Sequence, residues 1–409
     1  MAPVYLDNNA TTRTVSDVVA AMLPFFGAQF GNASSTHAFG SEVSGAIRQA
    51  RQDVQALIGA AFDHEIVFTS GGTESDNTAI LSALETQPGR DEIITSAVEH
   101  PAILSLLGHL QKTRGITVHY IGVDSCGRLD LDAYKRALGP RTCLATIMWA
   151  NNETGTLFPV EDLAALAHDA GALFHSDAVQ AVGKIALDLK TSAIDMLSLS
   201  GHKLHGPKGI GALYVRKGVK FKPLILGGRQ ERGRRGGTEN VPGVVGLGKA
   251  AQLAHAALDG DTNDIRALRD RLEQGIMGSI SHCRINGDVE HRVPNTSNIS
   301  FDFLDSEPIL LNLDREGIAA SSGSACASGS MEPSHVLRAM KVPAVALRGA
   351  IRFSLSRETT EAEIDRTIDC LPTIISRLRA MSPPWLDRET VGTSPGHDPE
   401  RDTNDSHAV

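Results

Sequence analysis

From about Thr14 to Leu213 the chain alternates short apolar runs with helical segments, and this alternation restricts its fold more than any other feature. The runs are EIVFTS, EIITSAV, TVHYIGV, CLATIMWA, ALFHSD, IDMLSLS and GALYV. Between and before them, apolar residues recur at helical spacing, as in Val15, Val18, Val19, Met22 and Leu23, and again in Val43, Ile47, Ala50, Val54, Leu57 and Ile58. PAILSLLGHLQKTRG and VEDLAALAHDAG each end on a glycine, Gly115 and Gly171, suited to the left-handed residue that closes a helix. Strands alternating with helices predict an α/β fold, with a mostly parallel seven-stranded sheet covered by helices. Residues 15–254 are expected to form this large domain. Beyond Ala254 the pattern changes to a helix (NDIRALRDRLEQGIM), a strand-rich piece (TSNISFDFL), another helix and the strand AIRFSLS. Thr360 and Glu363 are spaced as a capping box opening the last long helix, which Pro372 is predicted to kink or break. Residues 1–14 and 255–385 are read as a smaller α+β domain. The tail, 386–409, is polar and acidic and is predicted to be disordered.

The 409 residues carry a formal net charge of −9, which argues against a general binder of nucleic acid or anionic membranes. No apolar run approaches the roughly 20 residues that span a bilayer. The opening MAPVYLDNNATT has neither the basic nor the apolar region of an export signal. The five cysteines are scattered, with no C-x-x-C pair. These features predict a cytoplasmic protein without a disulfide framework.

The stretch SLSGHKLHGPKGIGALYV sets Lys203 between His202 and His205 in a glycine-rich hinge joining two apolar runs. A lysine becomes a nucleophile toward carbonyls when burial or a nearby cation disfavours its ammonium form. The alternative is a lysine on a surface turn. In EIVFTSGGTESDN a strand runs through Gly71, Gly72 and Thr73 into a helix, where free amides and a hydroxyl attract phosphate; a simple glycine turn reads equally well. ALFHSDAVQAVG ends a strand on Asp177, with Gln180 three residues on. A carboxylate there can hold a pyridine nitrogen protonated, or can simply cap the next helix. SAVEHPA ends a strand on His100, whose flat ring can stack on a cofactor or merely cap. Together, phosphate donors, an acid, a flat ring and an amine at successive strand ends point to pyridoxal phosphate. The run GHKLHGPK is not a P-loop, because Pro207 separates Gly206 from Lys208 and no Ser or Thr follows. His202 and His205 lack obvious further ligands for zinc. The basic run ERGRRGGTEN has no interleaved aromatics and is read as a phosphate-facing loop containing Thr238.

A second centre lies in GIAASSGSACASGSMEPSHVLRAM, where Cys326 sits among Ser, Gly and Ala that cannot pack tightly. A thiol on such a tether can visit two places, whereas Cys143, in CLATIMWA, reads as structural. Arg352, inside AIRFSLS, needs a carboxylate, from the protein or from a substrate. An amino-acid cofactor, a carboxylate-binding arginine and a mobile thiol fit removal of sulfur from cysteine, leaving alanine and a persulfide on Cys326.

The motifs YLDNNATT, FGNASSTH, TSGGTESDN, VEHPA, MWANNETGT, HSDAVQAVGK, SGHKLHGPKGIG, RRGGTEN, SSGSACASGSMEPSHVLRAM and IRFSLS resemble those of the NifS/IscS cysteine desulfurases, fold-type I enzymes using pyridoxal phosphate. SACASGSMEPSHVLRAM and SPPW look most like the nitrogen-fixation NifS branch. The resemblance implies that Lys203 bonds to the cofactor and Cys326 carries the persulfide. It further implies that His100 is catalytic, stacking on the ring and transferring protons, that Asp177 pairs with the pyridine nitrogen and that Gln180 reaches the ring oxygen. Gly72, Thr73, Ser200 and His202 would hold the phosphate, with Thr238 contributed across a homodimer. Asn152 and Arg352 would engage cofactor and substrate. An iron–sulfur scaffold would accept the sulfur, with a transient cluster contact at Cys326. Gly72 stands where many relatives carry alanine. A selenocysteine lyase or another β-lyase is the nearest alternative activity.

Overall fold

The computed structural model describes residues 2–322 and 333–387. Cys326, most of the 321–332 loop, and the tail from residue 388 lie outside the described residues.

A two-residue strand, β1 (Val4–Tyr5), precedes the main sheet. All seven predicted strands then form: β2 (Ile66–Thr69), β3 (Glu92–Ser96), β4 (Thr117–Ile121), β5 (Thr142–Thr146), β6 (Leu173–Asp177), β7 (Met196–Ser200) and β8 (Gly211–Val215). They make one sheet in the order β2-β8-β7-β6-β5-β3-β4, in which only β8 runs antiparallel to its neighbours. Every residue of β5, β7 and β8 is buried, because helices cover both faces. Gly115 closes the Pro101–Arg114 helix at φ 66°, and Gly171 follows the Val160–Asp169 helix at φ 71°, as the sequence predicts. The carboxyl ends of β2, β3, β6 and β7 share one edge of the sheet, the place where ligands of parallel sheets bind.

The second unit is a three-stranded antiparallel sheet, ordered β12-β10-β9, from β9 (Cys283–Asn286), β10 (Thr296–Phe301) and β12 (Ala350–Ser354). A separate pair joins β1 in parallel to β11 (Ile318–Ala319). Leu272, Ile276, Ile299, Phe301, Phe353, Ile364 and Leu371 build its core. The helix expected near residue 263 begins earlier: it runs unbroken from Val241 to Ser279 and packs Val244, Leu247, Ala250 and Ala251 on the large core and Leu272 and Ile276 on the small one. Glycines hid its first half. A Cβ on Gly248 would lie 2.5 Å from Ala50 Cα, so glycine is what lets this helix lie against the Ala38–Leu57 helix. Pro372 does not break the last long helix, Glu361–Ala380, where the buried Leu371, Ile374 and Ile375 hold the chain on the core; the Thr360–Glu363 capping box forms as expected.

Residues 6–12 form a strap between the two units. Leu6 N donates to Ala319 O (2.8 Å) and Ser354 N donates to Leu6 O (2.8 Å), while farther on Thr12 N donates to His202 O (2.9 Å). The ends of the 321–332 loop are also held. Ser321 pairs with Arg352 through both backbone groups. Ser334 caps the His335–Ala339 helix, whose Val336 and Leu337 pack in the large core.

Candidate active site

Lys203 ends a tight turn directly after β7, and its side chain leans against the strap, with Nζ donating to Asn9 O and to Ala10 O, the latter at 2.7 Å. Beside it His202 donates or accepts at Nδ1 with Thr11 Oγ1 (3.2 Å), and burial followed by the Lys203 and Lys208 charges lowers its pKa to about 4. His205 Nδ1 faces Arg13 O (3.0 Å) instead, so the two histidines do not converge on a metal. Among the described residues no group of three or more His, Cys, Asp or Glu side chains could hold a metal ion.

Asp177, the last residue of β6, is buried and accepts from Val179 N at 2.9 Å. Burial raises its pKa, against the charges of His100 and Lys203 that lower it. His100 caps the Pro101–Arg114 helix: Ala102 N donates to its Nδ1 (3.1 Å), which leaves Nε2 as the protonated nitrogen. Burial lowers its pKa, and Asp177 pulls it back up. His100 therefore both caps and faces the acid, so the two readings of this residue are compatible. The parallel register of β3, β5, β6 and β7 brings His100, Asp177 and Lys203 to one edge of the sheet, where their charges act on one another.

The glycine turn after β2 meets the same cluster. Gly71 (φ 156°) caps the Gly72–Thr86 helix and Thr73 lies in the first turn, not at the cap. A Cβ built on Gly71 would sit 3.8 Å from Ser200 Oγ, which brings the exposed helix amides beside the end of β7. A Cβ on Gly72 would come 2.9 Å from Val179 Cγ2. Gly72→Ala therefore requires Val179 to yield; melting is expected to drop by a few degrees, about 1 kcal/mol, and Val179→Ala should remove the added cost. Equal melting of Gly72→Ala and the parent would show that the turn has slack.

Arg352, on β12, donates from Nη2 to Asp7 Oδ1 (2.8 Å) and from Nη1 to Asn152 O (3.0 Å). It thus has a protein carboxylate, the ion-pair alternative left open by sequence, and the strap supplies it. Gln180 donates from Nε2 to Asn9 O (3.0 Å). Thr238 is exposed on the turn after Arg235, whose guanidinium pairs with Glu74 (3.0 Å), and no hydrogen bond joins its hydroxyl to the Lys203 cluster.

Sequence reasoning passed over several residues of this site. Asn9 is its hub: it joins Lys203 and Gln180 through its carbonyl, Thr296 and Asn295 through its amide, and Ser354 through its N–H. The paired asparagines in DNNATT were the available signal. Behind the cluster lie buried acids on separate segments, Asp76, Glu99 and Glu153. Glu153 receives the Ser334 hydroxyl (2.5 Å) and His335 Nε2 bonds the backbone carbonyl of Glu99 (3.0 Å), so one acid side chain and one main-chain carbonyl fasten the loop's carboxyl-side anchor.

Glu99 accepts from Ser96 Oγ (2.6 Å) and Met148 N (2.9 Å) through Oε1, while Oε2 is buried without a hydrogen-bond partner. Burial raises its pKa to about 8. An acid whose folded pKa is raised contributes stability below its ordinary value, and that stability is lost as pH climbs through the folded value. Glu99→Gln keeps the accepting oxygen and removes the titration. Its melting temperature should pull ahead of the parent between about pH 5 and 9, by about 5 °C at the upper end. Parallel pH profiles would refute the shift.

The class-V aminotransferase family model matches residues 4–367. The chain is 68% identical to a cysteine desulfurase of Gluconacetobacter diazotrophicus over 94% of this chain and 96% of that one. It is 57% identical to the cysteine desulfurase NifS of Azotobacter vinelandii over 98% of each. The chain belongs to the NifS/IscS cysteine desulfurase family. Among solved structures, a NifS-like protein superposes with a TM-score of 0.86 at 38% identity, covering 92% of this chain and all of that one. Family and geometry agree on an α/β pyridoxal-phosphate-type fold, as the sequence predicts. Among the described residues no helix is long and apolar enough to cross a membrane.

Proposed function

We propose that this chain takes sulfur from L-cysteine, using pyridoxal phosphate, and releases L-alanine. The observation that carries the reading is the meeting of Lys203, Asp177 and His100 at one sheet edge in a chain of this family. The donor set fits the cofactor. Asp177 is a carboxylate whose burial wants a cationic partner such as a protonated ring nitrogen, and bare helix amides at Gly72 and Thr73 face Ser200. Bound there, the cofactor supplies an electron sink for a carbanion at the amino-acid Cα.

Lys203 would hold the cofactor's aldehyde and, when free, move protons at Cα. Asp177 would pair with the ring nitrogen, His100 would lie on the ring, and Gln180 would reach the ring oxygen. Gly72, Thr73, Ser200 and His202 would hold the phosphate. Asn152 and Arg352 orient the substrate, Arg352 by its carboxylate. The Cys326 thiolate attacks the substrate sulfur: an S–S bond forms, and the Cβ–S bond breaks with its electron pair left on carbon, which takes a proton and leaves as alanine. Because the thiolate reacts, activity falls at low pH.

The enzyme acts as a cytoplasmic homodimer, with Thr238 completing the phosphate site across the interface. Leu23, Phe26, Phe30 and Phe39, each more than half exposed, and Leu226, 80% exposed, support a covered apolar face. Residues 15–254 act as the cofactor domain, and 1–14 with 255–385 as the domain bearing the Cys326 loop. The sulfur acceptor is an iron–sulfur scaffold, serving nitrogenase in keeping with the NifS-branch motifs, and its cluster touches Cys326 transiently.

Purified chain loaded with pyridoxal phosphate should release equimolar alanine and, with a thiol reductant, sulfide from L-cysteine. Mass spectrometry should find one extra sulfur on Cys326. Absence of alanine sinks the reading.

A further inference from the structure

Lys184 has no part in any motif role, and its surroundings give it one. Its Nζ donates to Gln180 Oε1 at 2.5 Å and to Asn9 Oδ1 at 3.1 Å. No carboxylate pairs with it among the described residues, and the charges of Lys203 and Arg352 act on it. It lines a cavity of about 40 Å³ together with Lys203, Asn295, Asp261 and Arg357. An ammonium offers donors only, so the atom of the Gln180 amide that faces it must be the oxygen. The NH₂ of Gln180 is thereby turned to the other side, toward Asn9 O, the same carbonyl that Lys203 Nζ uses.

We propose that Lys184 is a positioning residue for the Lys203 site: it fixes the orientation of the Gln180 amide and sets a cation-and-donor array beside the nitrogen of Lys203. Asn9 is the second point of attachment, held through its side chain by Lys184 and through its carbonyl by Gln180 and Lys203. Burial, followed by the Lys203 and Arg352 charges, lowers the Lys184 pKa, and the two oxygen acceptors of its Nζ, Gln180 Oε1 and Asn9 Oδ1, oppose that shift by favouring the charged form. A cation near a second site makes protonation there harder. Without Lys184, the nitrogen contributed by Lys203 should hold its proton to higher pH.

The inference rests on the cofactor reading above, and the test separates the two. The loaded parent should show a band near about 400 nm, the mark of a protonated imine, that bleaches as pH rises. In Lys184→Met the bleaching midpoint should rise by about one unit, and cofactor dissociation should become roughly tenfold easier. In a Gln180→Ala background the same substitution should weaken cofactor binding no further, because the two residues act as one unit. If Lys184→Met does not fold, Lys184→Gln carries the test. Its amide offers Gln180 an acceptor as readily as a donor, so the midpoint should again rise and affinity fall by roughly threefold. No band in the parent overturns the cofactor reading. A parent band whose midpoint and affinity are unchanged in the folded Lys184 variants, or an undiminished loss of affinity in the Gln180→Ala background, overturns this inference alone.

Discussion

Lys203→Ala is expected to abolish the band near about 400 nm in cofactor-loaded protein and to lower alanine release from L-cysteine by at least about a thousandfold. On the proposed mechanism two roles are lost at once: the covalent hold on the aldehyde and the amine that moves protons at Cα. A third loss is structural. Nζ donates to Asn9 O and Ala10 O, so the variant leaves two carbonyls of the strap without their donor. A modest fall in melting temperature is expected beside the loss of turnover, and it cannot account for that loss while the protein remains folded. Near-parental alanine release from a folded Lys203→Ala protein would remove the amine from the mechanism.

Cys326→Ala is expected to lower alanine and sulfide formation by more than about a hundredfold while leaving the band and its response to L-cysteine in place. Chain geometry makes the thiol's reach adequate. Ser321 is bound to the backbone of Arg352, and Cys326 comes four positions after Ser322, at most about 14 Å of extended chain. Arg352 in turn touches Asn152 and Asp7 beside Asn9. The tether of Cys326 therefore starts at Ser321, held on the backbone of Arg352. Alanine formation that survives the substitution in the presence of reductant would turn the assignment toward an elimination of the selenocysteine-lyase kind, which needs no thiol.

The strands were legible because burial on both faces leaves uninterrupted apolar runs, and their ends were legible because polar residues stop those runs abruptly. Lys203, Asp177 and His100 were placed at strand ends that way. The helix from Val241 was only half legible, since Gly243, Gly246 and Gly248 imitate a loop where they serve close packing. Cys143 behaves as its apolar setting predicts: burial raises its thiol pKa to about 12. Lys184, Glu99 and Glu153 could not be found by local pattern, because each acts through partners brought near only by the fold, and Asn9 was marked only by the paired asparagines of DNNATT. Arg352 shows the limit most plainly. Its need for a carboxylate was readable, but its partner Asp7 lies 345 positions away.

The strap of residues 6–12 also governs when the protein becomes competent. Asn9 leaves the ribosome 345 residues before Ser354, the residue that receives its backbone N–H. Until that late strand arrives, the early segment has no ledge to rest on, and the carbonyls that meet Lys203 are not yet held in place. A nascent chain can thus pair the seven strands of its sheet before the strap that meets Lys203 is held in place.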